Sequence, residues 1–230
     1  MITLPQLSPR NRLTGFTLVE LAIVLLIVGV LLGGLLPTIS SQIEQRRVGD
    51  TRKQLDEIQQ ALIGYAVVNG RLPCPAPGNI ASGQPGAGVA AATCSTAASA
   101  GGVLPWVTLG VSETDAWGRR FTYRVTPAFA TVGAPFQLST VGNLNVGLTP
   151  GATDVAANIP AVVTSHGTNG LGAYTPAGAQ LPGAAGDEAE NANNDNNFVN
   201  HDPTPAFDDL VVWISPNTLM NRMVTAGKLP

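Results

Sequence analysis

The chain has 230 residues, a formal net charge of −3, 12% charged residues, 26 glycines and 18 prolines. That length leaves room for one membrane helix and one modest globular domain. The sparse charge and abundant glycine and proline exclude a plain helical bundle, and the mildly acidic balance argues against a nucleic-acid surface of the usual basic kind.

Residues 1–15 form a short basic segment containing Pro5, Pro9, Arg10 and Arg12. It reads as a processed leader outside the fold, and its loss makes the remainder more acidic by two charges. From Phe16 to Leu36 run 21 residues, 15 of them Leu, Ile, Val or Phe, before Pro37. At about 1.5 Å per residue such a helix spans roughly 30 Å, the thickness of a bilayer's hydrocarbon core. Those side chains, at roughly −0.3 to −0.6 kcal/mol each, outweigh a single acid even at its mid-membrane cost of about 2.5–3.5 kcal/mol. The acid is Glu20, close to the start of the run. Arg10 and Arg12 precede the run, so the chain is expected to enter the membrane from the cytoplasm and emerge on the far side. A secretory signal peptide would have a shorter apolar region closed by small residues. A plain signal anchor has no use for an acid within its span, where an ionisable group marks function by default.

Gly15 followed by Phe16-Thr17-Leu18-Val19-Glu20 resembles the prepilin cleavage and methylation motif of type IV pilins and type II secretion pseudopilins. The resemblance implies cleavage after Gly15 by a prepilin peptidase and N-methylation of the new terminus at Phe16. It makes Glu20 the fifth and Pro37 the twenty-second mature residue, both characteristic of the family, and gives Phe16, Glu20 and Pro37 a part in assembly. The expected fold is α+β and pilin-like. A long N-terminal helix, transmembrane in one half and amphipathic in the other, packs on a small antiparallel sheet with a short C-terminal helix. The expected divisions are a leader (1–15), a membrane segment (16–36), the amphipathic half of the helix (37–69) and a periplasmic head (70–230).

Beyond Pro37, the residues Ile39, Ile43, Leu55, Ile58, Leu62 and Ala66 recur at helical spacing among polar neighbours. Arg52 with Asp56 and Lys53 with Glu57 are candidate i,i+4 ion pairs, each contributing about 0.3 kcal/mol. Asn69-Gly70 is a helix stop, with Pro73 behind it. One helix from Phe16 to about Asn69 would be ~80 Å long, with a kink or local melting at Pro37.

Residues 71–102 read as a Gly/Ala/Pro/Ser loop containing Cys74 and Cys94, the two cysteines of the chain. Outside the cytoplasm a bridge between them is expected, with two buried free thiols as the alternative. Strand signals follow at Phe121–Val125, at Phe136–Val141, at Ile159–Ser165 with Pro160 interrupting it, and at Leu210–Ile214. Ser215-Pro216 reads as an N-cap and first helical residue, and Leu219, Met220, Met223 and Val224 give an apolar face. A C-terminal helix is expected from Pro216 to about Ala226.

Asp115-Ala116-Trp117-Gly118, with Phe121 and Tyr123 beyond it, is similar to the Asp-x-Trp-Gly segment that opens the sheet of the major pseudopilin. By itself it reads as a turn anchored by Trp117 that leads into an alternating strand. Ser165-His166-Gly167-Thr168-Asn169-Gly170 stands where that family has Ser-x-Gly-x-Asp-Gly, with Asn169 in place of the acid. Phe207-Asp208-Asp209-Leu210 with Trp213 resembles its closing Asp…Trp strand. The family's major pseudopilin binds calcium in this C-terminal region. Here Asp187, Glu188, Glu190, Asp195, Asp202, Asp208 and Asp209 crowd a stretch without Lys or Arg, and carboxylates are ligands of the hard-oxygen type that Ca²⁺ takes. The candidate calcium region is Asp187, Glu188, Glu190, Asp195, Asp208 and Asp209. A solvated Asn/Asp-rich loop is the other reading of the same composition.

An enzyme is not expected. Ser165 and His166 are adjacent in sequence, and no serine sits in a nucleophile-elbow pattern. His166 and His201 lack zinc-like spacing, and a solvated turn position is expected for both. The resemblance implies a filament subunit of the bacterial inner membrane, single-pass, with a cytoplasmic N-terminus and a periplasmic domain. Its partners would be copies of itself or other pilin-like subunits, the prepilin peptidase and the inner-membrane assembly platform. Nucleic acid is expected only if the subunit serves DNA uptake. The Asp-x-Trp-Gly segment favours a type II secretion pseudopilin. A type IV pilin, major or minor, is the alternative, and a membrane-anchored binding domain using the same processing route is a third.

Overall fold

The structure is a computed structural model that describes residues 15–133, 135–183 and 185–229, with the side chains of residues 32–40 outside the description. The leader up to residue 14 and the side chain of Pro37 therefore lie outside the described residues. In chain order the elements are α1 (Leu18–Asn69), β1 (Gly101–Val103), α2 (Trp106–Leu109), β2 (Thr122–Val125), α3 (Pro127–Ala130), β3 (Leu144–Gly147), β4 (Ala156–Ile159), β5 (Ala161–Ser165), α4 (Asp187–Ala192), β6 (Asn197–Val199), β7 (Leu210–Ile214) and α5 (Pro216–Thr225). They fall into two compact units, residues 1–45 and 46–230.

The first unit holds the start of α1. Every described side chain from residue 15 to 31 is exposed, with Phe16 at 84% and Leu18 at 89%. Among the described residues no helix is long and apolar enough to cross a membrane. The helix itself is unbroken through position 37.

In the second unit α1 turns Leu55, Ile58, Leu62 and Ala66 inward, all at most 1% exposed. Their 3- and 4-residue spacing makes one helical stripe. They pack with Tyr123, Val125, Ala161, Val163 and Ile214 from the sheet and with Leu219 and Met223 of α5 in one cluster. Each large side chain so buried contributes about 1.5–3 kcal/mol. Gln59 Nε2 also donates to the carbonyl of Trp213 at 2.8 Å, fixing helix to strand. Helix α1 ends at Asn69, as the Asn-Gly pair implies.

The main sheet is four-stranded and antiparallel, in the order β1-β2-β5-β7. Its other face meets a second sheet of order β4-β3-β6, through Leu144, Val146, Ile159, Val162, Phe198 and Val211. Covered on both sides, β5 is buried at all its positions, which is why its residues do not alternate with polar ones. The sequence pattern showed no sign of the second sheet, in which β3 and β6 run parallel.

Several expectations need correction. Phe136–Val141 forms no strand: Thr140 donates to the carbonyl of Gln137 at 2.9 Å and closes a turn, while the strand lies further on at Leu144–Gly147. The stretch 159–165 divides at Pro160, leaving β4 in one sheet and β5 in the other, because proline supplies no ladder donor. Lys53 reaches back to Asp50 at 3.6 Å instead of forward to Glu57. Ser215 stands at the N-cap of α5 without a side-chain capping bond.

Cys74 and Cys94 are bridged, Cα to Cα 5.6 Å, within the main core. The long loop is further held by a two-way backbone pairing of Ala76 with Val103 (2.9 and 3.0 Å) and by Arg120. Replacing both cysteines by alanine is expected to cost about 3 kcal/mol, which lowers the melting temperature by roughly 6–12 °C in a domain of this size. An unchanged melting curve by circular dichroism would remove the bridge from the account of stability.

Candidate functional site

At the start of α1, Thr17 is the last non-helical residue and Glu20 the third helical one. The Thr17 backbone N–H and hydroxyl both donate to Glu20 Oε2 at 2.9 Å, and the Glu20 N–H donates to Thr17 Oγ1 at 3.3 Å. This reciprocal pair is a capping box, which satisfies donors that a helix start leaves without partners. Glu20 therefore has partners within its own chain, four residues from the expected new terminus at Phe16. Sequence reasoning passed over this cap, for which the Thr-x-x-Glu spacing was the available signal.

The head's two glycine turns meet. Asp115 Oδ1 accepts the N–H groups of Trp117 and Arg119, each at 3.0 Å, which closes the Asp-x-Trp-Gly turn. Its Oδ2 accepts the Ser165 hydroxyl at 2.7 Å. Arg119 Nη1 donates to the carbonyls of Gly167 and Thr168 at 3.2 and 2.9 Å. Burial raises the Asp115 carboxyl above its usual range, against the hydrogen bonds that favour its charge. Ser165 and His166 engage different groups: Ser165 bonds Asp115, and His166 Nε2 lies 3.1 Å from Thr122 Oγ1. His166 is fully buried, contrary to the solvated position expected for it. Burial, helped by the charge of Arg119, pushes it down to about 4, so its ring is neutral. His201 is not free in solvent either. It stacks on Phe207 at 4.0 Å between centroids and lies 3.1 Å from Asp187 Oδ2.

Among the acids of residues 187–209, the fold brings together Glu188, Asp208 and Asp209, whose carboxylate oxygens lie within 4.8 Å of one another. Gly167 makes this possible. It stands at φ +54°, and a Cβ there would meet the Asp208 carbonyl at 2.3 Å, so the turn can press against the Asp-Asp pair only with glycine. Asp208 Oδ1 and Asp209 Oδ1 are buried without a hydrogen-bond partner, as is His166 Nδ1, 3.7 Å from Asp209 Oδ1. Burial, with the charges of Glu188 and Asp208 adding to it, pushes Asp209 up to about 8, and burial raises Asp208 as well.

Asn169 and Glu188 explain one another. The Asn169 amide donates to both oxygens of Glu188, at 2.9 and 3.0 Å, and its backbone N–H donates to Asp208 Oδ2 at 3.0 Å. Glu188, carried on α4, thus brings a carboxylate to the Asn169 turn. Asp187, Glu190 and Asp195 are engaged elsewhere. Asp187 meets His201, Glu190 accepts the Gly151 N–H at 3.1 Å, and Asp195 accepts the Asn197 N–H at 2.8 Å. Sequence reasoning passed over Asn191. Its amide donates to Asp209 Oδ2 at 2.8 Å and its oxygen accepts the Val199 N–H at 2.8 Å, so it holds Asp209 in place.

Residues 10–36 match the family model of the prokaryotic N-terminal methylation motif. The chain carries a prepilin-type segment. That segment belongs to the type IV pilin and pseudopilin kind, and it implies processing by a prepilin peptidase and assembly with other pilin-like subunits. It spans Gly15, Phe16, Thr17 and Glu20, so the capping box lies inside it. No curated protein and no solved structure matches the chain.

Proposed function

We propose that this chain is a filament subunit of the pseudopilin kind. It would be stored in the inner membrane, cleaved after Gly15, N-methylated at Phe16 and built into the periplasmic pseudopilus of a type II secretion system. The observation that carries the proposal is the prepilin-type segment over residues 10–36, seated on a helix start whose apolar side chains stand exposed. Exposed Leu, Ile and Val around a whole helix need lipid or other helices around them.

In the filament, Glu20 would leave part of its capping role and face the methylated amine of a neighbouring subunit's Phe16. A carboxylate taken into an apolar bundle is costly unless paired, so the contact both offsets the burial and fixes axial register. Pro37 contributes to how the helix bends within the bundle.

Secretion is favoured over a pilus by the head. The Asp-x-Trp-Gly turn and the Ser165 turn are joined by the Asp115–Ser165 bond, and the second turn leads to the Asp208-Asp209 pair. This is the order in which the major pseudopilin carries them. The large head, with its second sheet, favours a minor subunit of either system, so a minor pilin of a type IV system is the second reading. We infer further that Glu188, Asp208 and Asp209 hold Ca²⁺. The donors are all oxygen, they converge, and two of them lack a partner, which suits a hard cation. Calcium would supply charge neutralisation there, pinning α4 to the Ser165 turn and to β7. The test of the system is location. Immunogold labelling is expected on periplasmic fibres, and labelling on long surface pili would transfer the chain to the pilus reading.

A further inference from the structure

Two arginines of the head are buried, and they are treated differently. Arg120, 0% exposed, has a carboxylate partner: Glu113 lies 2.8 Å from its Nη2. Its remaining donors reach the carbonyls of Gly78, Ile80 and Pro176 and the Ser82 hydroxyl, and its guanidinium sits over Trp106. Arg124, 5% exposed, has no ion pair among the described residues. Its Nε and Nη2 donate to Asn196 Oδ1 at 3.2 and 2.9 Å, and Nη1 donates to Asn194 Oδ1 at 2.8 Å. Both acceptors are neutral amides, and a guanidinium has five N–H donors. Asp195, between these two asparagines, turns its oxygens to the Asn197 N–H and the Asn193 amide. A desolvated cation without an anion is costly, and burial lowers the Arg124 pKa accordingly, only partly countered by Asp195.

Arg124 borders a cavity of about 310 Å³ on the sheet face turned away from α1. Val162 and Phe198 give it an apolar side, while Tyr174, Gln180 and Asn194 bring polar groups to it. The wall is built at close quarters. A Cβ on Gly101 would meet Asn194 Oδ1 at 1.7 Å and Arg124 Nη1 at 2.8 Å, so glycine is what lets both groups lie against β1. A cavity of this size with an apolar side and a few convergent polar groups has the form of a small-molecule site. The planar fork of a guanidinium matches a carboxylate in two-point contact.

We propose that this cavity binds a small organic carboxylate, anchored on Arg124 with its carbon skeleton against Val162 and Phe198. The cavity adjoins the carboxylate cluster through Asn191, which lines it and whose amide holds Asp209. The test uses the full chain in a neutral maltoside detergent, titrated by calorimetry with acetate, N-acetylalanine and citrate. N-acetylalaninamide, which keeps the skeleton and lacks the charge, is the control. At least one carboxylate is expected to bind, and the amide to bind on the order of tenfold more weakly or not at all. Arg124→Gln is expected to lose binding to the same extent while melting as a folded protein. Equal binding of acid and amide, no heat with any of the three acids, or undiminished binding to a folded R124Q chain would overturn the proposal. If R124Q does not fold, the comparison of acid with amide on the native chain still decides.

Discussion

Glu20→Gln is expected to leave a chain that is made, inserted and cleaved, with α1 starting where it does now, yet absent from filaments. The prediction separates two roles that one side chain holds. Glutamine at the third helical position still accepts from the Thr17 N–H and hydroxyl, as a capping box permits, so the local bonds at 2.9 Å keep a partner. What the substitution removes is charge, and with it the attraction to a neighbour's methylated amine. A charge-assisted hydrogen bond contributes about 1.5–3 kcal/mol, lost at every subunit contact along the polymer. Thr17→Ala makes the opposite change. It costs about 1 kcal/mol of helix start and keeps the carboxylate, so assembly should persist at reduced yield. Glu20→Ala loses both. Sheared-fibre fractions blotted for the subunit read the outcome. E20Q filaments at normal yield would leave the capping box as the whole role of Glu20.

The second large effect concerns the three carboxylates. With calcium at about a hundred times its dissociation constant, a site that exists only in the folded state gains about 2.7 kcal/mol. That corresponds to roughly 5–10 °C in melting temperature for a domain of this size. Asp209→Asn should abolish that rise. The amide oxygen at position 209 can still accept from Asn191, so the bond now at 2.8 Å need not be lost. Without calcium at neutral pH the same variant is expected to melt close to the native chain, since burial and the charges of Glu188 and Asp208 push Asp209 up to about 8 and already hold its carboxyl largely neutral. A site that were only a solvated acidic loop would give no rise with calcium. Calorimetry showing no heat with millimolar Ca²⁺, together with melting indifferent to chelator, would exclude the cation.

Much of this was legible in the sequence because it rests on local signals. The apolar stripe Leu55, Ile58, Leu62 and Ala66, the Asn69-Gly70 stop, strand β7 and helix α5 follow from periodicity and caps, which need no distant partner. The second sheet did not show itself. Strands β3, β4 and β6 have three or four residues each, and β6 pairs in parallel with a strand fifty positions away. Such short strands are stable only through what covers them. The acidic cluster was half visible. Composition pointed to residues 187–209, but which three acids converge depends on Gly167 admitting Asp208 and on α4 carrying Glu188 to Asn169. His166 was misjudged for the same reason. A histidine in a Gly-rich turn looks solvated until a second layer closes over it.

The N-terminus of the subunit recovered from cells tests the central claim most directly. Intact-mass and N-terminal fragment spectra are expected to give a chain beginning at Phe16, with one methyl group on its amine. A chain that keeps the residues before Gly15, or that begins beyond the apolar run at Leu36, would contradict the assignment of this protein as a processed filament subunit.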